Sequence, residues 1–153
     1  MIRTQIAQAL TADTALNAII QGRIYTRRGP YGGISLDATP DVFTSDGEVR
    51  PSIVIVEEVR TTTDAMKPGD PQTRHAIQVV AVYAYQARGY DLVDQVLRHT
   101  KRVLHRLRNL PIPPDVWVES RWSSDGPDQL DPALNCPVRA TRFDVLITER
   151  DTP

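Results

Sequence analysis

The sequence predicts an α+β domain: a mainly antiparallel sheet of about five strands, an N-terminal helix, and one long amphipathic helix packed on the sheet. Three observations carry this. Residues 74–86, RHAIQVVAVYAYQ, alternate faces as a strand does, with Ile77, Val79, Ala81, Tyr83 and Tyr85 on one side. Residues 90–109 switch to helical spacing, with Val93, Val96, Val103, Leu104 and Leu107 on one stripe. Two further β-rich runs, 116–122 and 138–149, follow a proline cluster. The 153 residues, 41% hydrophobic and 24% charged, suit one soluble domain spanning 1–153.

The first element is a helix over Ile2–Ile20, with Ile2, Ile6, Ala9, Leu10, Leu16, Ile19 and Ile20 in apolar positions and Gly22 as its stop. Thr11–Thr14 interrupts the stripe and Asp13 can cap a new turn, so one bent helix or two short ones fit equally well. Arg23–Thr26 reads as a short strand. A long loop at 27–49 follows, dense in turn signals such as Gly29-Pro30 and Asp46-Gly47, with Ile34, Leu36, Val42 and Phe43 as its anchors. Ser52–Val59 is a strand whose first half is apolar on both faces, which asks for burial on both sides or cover from a neighbouring subunit. The run 61–73 contains Pro68, Gly69 and Pro71 and makes a hairpin connection with a protruding tip.

The helix after the hairpin carries Asp91 and Asp94 in its first turn and cations in its later turns, as the helix dipole favours. Pro111, Pro113 and Pro114 end it. Between the last two strands lies a second long loop, 123–137, with Asp125, Asp128 and Asp131.

Residues 96–108, VLRHTKRVLHRLR, concentrate positive charge in a chain whose formal net charge is -1. On a helix, Arg98, Lys101, Arg102, His105 and Arg106 gather opposite the apolar stripe, and Arg108 ends the run. His99 and His105 stand about 120° apart, so they lack the i,i+4 spacing of a metal pair. The stripe has no Trp or Phe to enter a membrane surface. Phosphate contact by these cations is the competing use, but no known nucleic-acid module accompanies them. A solvated or interface-forming face is the leading reading.

No catalytic constellation emerges and no cofactor is implied. GPYGG lacks the Gly-Lys-Ser/Thr of a phosphate loop, and no G-x-S-x-G turn occurs. Glu57 and Glu58 are adjacent on a strand and point to opposite faces. Cys136, the one cysteine, excludes an intramolecular disulfide and a cysteine-based zinc site, and lies in a turn-rich stretch without an activating neighbour. The longest aliphatic run, Ile53–Val56, is far too short for a membrane span, and the N-terminus has no signal-peptide core. The expected site of folding is the cytoplasm. Sixteen of the eighteen basic residues are arginine, a bias compatible with work through protein contacts.

The order of elements resembles the tail terminator (tail completion, or neck) proteins of long-tailed bacteriophages. The resemblance lies in DTALNAIIQGRIYTRRGP at 13–30, RPSIVIVEE at 50–58, the strand-into-helix run HAIQVVAVYAYQARGYDLVDQVLRHTKRVLHRL, and RATRFDVLITE at 139–149. It implies a non-enzymatic virion protein, assembled in the host cytoplasm, that caps the tail tube as a hexameric ring. Such a ring ends tube polymerisation and offers a docking surface to the head–tail connector proteins, while genome DNA passes through without sequence-specific binding. The chain departs from shorter members in the length of 27–49 and 123–137. Arg98, Lys101, Arg102, Arg106 and Arg108 are then expected at an assembly interface or facing DNA. Arg27 and Arg28 in one loop, with Asp125, Asp128 and Asp131 in the other, are the expected partner loops. The acidic loop of one copy would meet the basic helix of the next. The alternatives are a nucleic-acid-binding adaptor using 98–108, a head-completion (connector or stopper) protein, and a small enzyme of unrecognised type.

Overall fold

A computed structural model describes residues 2–26, 34–36, 38–63 and 73–150. Arg27, Arg28 and the predicted hairpin tip lie outside the described residues. Among the described residues the class is the expected α+β: three α-helices with a mostly antiparallel sheet.

The N-terminal segment forms two helices, α1 (Ile2–Ala12) and α2 (Thr14–Ile20). Ile2, Ile6 and Leu10 of α1 and Leu16 and Ile20 of α2 are buried in one core. Asp13 stands extended at the break (φ -79, ψ 113), and its carbonyl accepts the Asn17 N–H. Its carboxylate does not cap α2. The helix stops as Gln21 and Gly22 turn left-handed (φ 48 and 77), with the Asn17 side chain accepting from Gly22 N at 2.9 Å.

Among the described residues the sheet has seven strands rather than about five. They are β1 (Ile24–Tyr25), β2 (Ser52–Thr63), β3 (Thr73–Tyr85), β4 (Pro111–Ile112), β5 (Asp115–Asp125), β6 (Gln129–Asp131) and β7 (Cys136–Arg150). Their order is β1-β2-β3-β7-β5-β4, with β6 paired to β7. The β1–β2 pair is parallel and the others are antiparallel. β3 runs along one edge of β7 from Thr73↔Arg150 to Tyr85↔Val138. β5 and then β6 follow its other edge, so much of the predicted loop 123–137 is strand. The turn signals Gly126-Pro127 and Asp131-Pro132 mark only short breaks there. Pairing with a long central strand overrides the local preference.

Ile53 and Ile55 pack on the helix side with Val80, Val82, Phe143, Val145, Ile147 and Trp117. Val54 and Val56 pack on the far side with Tyr85, Val138 and Cys136, together with Val42 and Val49 from the segment between β1 and β2. The doubly apolar strand is thus covered on both faces by its own chain. Of the four loop anchors, Val42 is fully buried, Ile34 and Phe43 are half-buried, and Leu36 is exposed.

The long helix α3 (Asp91–Leu104) ends well before the expected Asn109. His105 is already extended, and Arg106 and Asn109 adopt φ 64 and 60. The cause is β5. Arg106 N–H donates to Ser120 O at 2.7 Å, Ser120 N–H to Leu107 O at 2.9 Å, and the Trp117 indole to Leu107 O at 3.1 Å. The prolines set only the last residue at which a helix must stop, and sheet-edge hydrogen bonds end it earlier. At the other end Gln86 caps the helix from outside, its Oε1 accepting from Val93 N at 2.7 Å.

Candidate functional site

The basic segment does not form one continuous helical row. Arg98, Lys101 and Arg102 are on α3, whereas Arg106 and Arg108 lie on the chain that runs beside β5. Most of the charge is matched within the chain. Lys101 Nζ reaches Asp125 Oδ2 at 2.6 Å and sits over the Trp122 ring, 4.9 Å from its centroid. Arg102 binds Asp13 at 2.6 Å, tying α3 to the break between α1 and α2. Arg108 and Arg121 clamp Glu119 at 3.0 and 2.6 Å.

The predicted acidic loop is matched in the same way. Asp128 pairs with Arg139 at 2.9 Å, and Arg139 also pairs with Asp94 of α3. Asp131 accepts the N–H groups of Ala133 and Leu134, both at 2.9 Å, and so builds the β6–β7 turn. The basic and acidic stretches therefore meet within one chain, through Lys101–Asp125. Desolvation raises the Asp125 pKa, but hydrogen bonds from Lys101 and Thr141 outweigh it and leave the carboxyl below its ordinary value. Among the described residues, Arg98 and Arg106 are exposed and have no ion-pair partner.

Glu57 and Glu58 engage opposite faces, Glu57 with Arg3 of α1 at 3.7 Å and Glu58 with Arg142 of β7 at 2.8 Å. Burial pushes the Cys136 thiol up to about 11, away from the reactive thiolate. Among the described residues no group of three His, Cys, Asp or Glu side chains is placed to hold a metal ion. No described helix is long and apolar enough to cross a membrane.

Two features escape a reading of the sequence. Glu119 is a nearly buried carboxylate, its side chain 5% exposed. A register shift between Trp117 and Glu119 breaks the alternation that would have located it. The other is a polar cleft shared by Arg23 and Arg50, assembled from three separate stretches of chain. The run GRIY draws the eye to Arg23, but nothing local links it to Arg50.

The sequence matches no family model and no curated protein. Among solved structures, the fold is similar to that of a chain in the virion of a native gene transfer agent particle. The TM-score is 0.64 at 13% identity, covering 96% of this chain and 94% of that one. The likeness spans nearly the full length of both chains, and what it establishes is a shared fold.

Proposed function

We propose that the protein is a structural subunit of a phage-like particle, one that caps the tail tube as a ring, ends its polymerisation and forms the head–tail joint. The observation that carries this reading is the near full-length likeness to a virion component. The ordered sequence pattern over 13–149 supports it independently, because it points to the same class of particle from residues alone. The protein works by assembly with copies of itself, the tail tube protein and the connector, and genome DNA crosses the ring without base readout.

The in-chain pairing of Lys101, Arg102 and Arg108 weighs against a nucleic-acid adaptor, because each would have to give up its carboxylate partner to neutralise a phosphate. Arg98 and Arg106 are the cations of the segment left for a neighbouring subunit. A ring made by rotation brings two different surfaces of the subunit together, so their partners lie on another face of the next copy.

Electron microscopy of particles assembled without the protein tests the reading. Overlong or ragged tails are expected. Tails of normal length lacking only heads would instead assign a head-completion role. At the subunit level, native mass spectrometry should show a ring, either in solution or on added tail tubes. Charge reversal of Arg98 and Arg106 together should lower the oligomer mass, and an unchanged mass would remove them from the interface.

A further inference from the structure

Where α2 leads into β1, the chain forms a polar cleft of about 430 Å³ whose wall includes Arg23, Tyr25, Asp41, Phe43 and Arg50. Arg23 is only 8% exposed. Its guanidinium donates to three neutral acceptors: Pro51 O at 2.8 Å, Ile19 O at 3.2 Å and the Gln21 side-chain oxygen at 3.5 Å. A guanidinium has five N–H groups, so part of its donor capacity is unused. Neither Arg23 nor Arg50 has a carboxylate partner among the described residues.

The contrast with the rest of the molecule is sharp. Arg3, Arg60, Arg102, Arg108, Arg139 and Arg142 all sit on carboxylates although each is more exposed than Arg23. A buried cation without a counter-charge is costly. Its hydrogen bonds to Ile19 O and Pro51 O do fasten the end of α2 to the start of β2, and that structural task accounts for Arg23. It does not account for a second arginine on the same wall. Desolvation first, and then the Arg50 charge, lower the Arg23 pKa, the sign of a site that lacks an anion.

We propose that this cleft binds a carboxylate, with Arg23 and Arg50 as its cationic wall and the Tyr25 hydroxyl as a neutral donor. Two arginines and Asp41 leave a net charge of +1 (2 − 1) on the wall. A monoanion neutralises that charge, whereas a phosphate dianion leaves an excess negative charge beside Asp41. The planar fork of arginine also matches the two oxygens of a carboxylate. Burial first, with Asp41, raises the Tyr25 pKa, so its hydroxyl keeps its proton near neutral pH and can donate. The carboxylate belongs to an acidic side chain of an adjoining protein or to a small free acid. The site does not rest on the ring reading, since either source can fill it in an isolated subunit.

The test uses the full chain labelled with nitrogen-15, following the arginine Nε–Hε signals at constant ionic strength. Sodium acetate, acetylated and amidated glutamate, and inorganic phosphate are titrated against a chloride background. The Arg23 and Arg50 signals should follow a saturable curve with acetate while that of Arg98 does not. In Arg50→Gln, an exposed position, the affinity should fall roughly tenfold, the loss of one charge-assisted contact. Tighter binding of the glutamate derivative than of acetate assigns a protein side chain, and equal binding assigns a small acid. Asp41→Asn should improve phosphate relative to acetate. Shifts that never saturate, an unchanged affinity in Arg50→Gln, or phosphate binding as well as acetate to the unaltered protein would each overturn the proposal.

Discussion

The two faces of the sheet are closed by different means. On one, three helices lay down residues at regular intervals, and the core they make is continuous from Ile2 to Trp117 and Phe143. On the other, irregular chain between β1 and β2 supplies Val42 and Val49, the β6–β7 turn supplies Leu134, and the start of β7 supplies Cys136. The helix face draws its stability from many side chains on elements that hold each other in place. The far face depends on a few anchors, each set by its own turn. Such a face is the easier one to loosen, reshape or adapt to a partner.

Core truncation gives the largest expected effect and the most direct way to break this comparison. Phe143 is fully buried on the helix face. Phe143→Ala should cost about 3–5 kcal/mol in urea denaturation. Val42 is just as buried under the far-face cover, but fewer atoms are lost and the cover can relax, so Val42→Ala should cost about 1.5–3 kcal/mol. Leu36→Ala, at an exposed position, should fall within about 0.5 kcal/mol of zero. Equal losses at Phe143 and Val42 would show that the two faces are one cooperative core.

Glu119 comes next, and its test is a pH profile. Its carboxylate lies between Arg121 and Arg108, and hydrogen bonds from Arg121 first and Arg108 second hold its pKa below the ordinary value. A group whose folded pKa is depressed stabilises the fold fully above its unfolded value, about 4.3 for a glutamate. That contribution is lost as pH falls through the folded value. The stability gap between the unaltered protein and Glu119→Gln should therefore be constant from about pH 7 to about pH 5 and shrink toward pH 3. A gap that does not change with pH would mean that the two arginines contribute packing alone.

These contrasts also explain what the sequence reveals. The helix-side elements are legible because their apolar spacing is a property of the chain itself: 3.6 residues for α3 and two for β3. The far-face cover is legible only in part. Val42 and Leu36 look alike as aliphatic residues among turn signals, yet one is fully buried and the other exposed, because only the fold decides which lies over β2. The ion pairs follow the same rule. The cations of 96–108 are plain in the sequence, but Asp13, the partner of Arg102, is 89 residues away. A charge can be read locally; its match depends on topology.

A smaller effect, of opposite sign, is expected on the far face. Ser52 is completely buried, and among the described residues its hydroxyl has no hydrogen-bond partner. A buried polar atom left unpaired forfeits its hydration without return. Ser52→Ala should therefore raise stability, by about 1 kcal/mol. Thermal melting is a sufficient readout, since the change should move the midpoint upward by a few degrees. A lower midpoint would mean that the hydroxyl is bonded to an ordered water, and that this part of the far-face cover is better fitted than its irregular chain suggests.

The smallest expected effect bears most directly on the basic helix. Lys101 and Asp125 join α3 to the end of β5, and both side chains remain partly exposed, at 34% and 41%. Exposed pairs contribute about 0.2–1 kcal/mol, and the contact with the Trp122 ring adds to the upper part of that range. A double-mutant cycle with Lys101→Met and Asp125→Asn isolates the coupling from the packing of the long lysine stem. Added salt should weaken it, because neither group is shielded from solvent. If the coupling is present in the isolated subunit, Lys101 already has its counter-charge before any neighbour arrives. A coupling of zero would free Lys101 to join Arg98 and Arg106 as a third cation available to the next subunit.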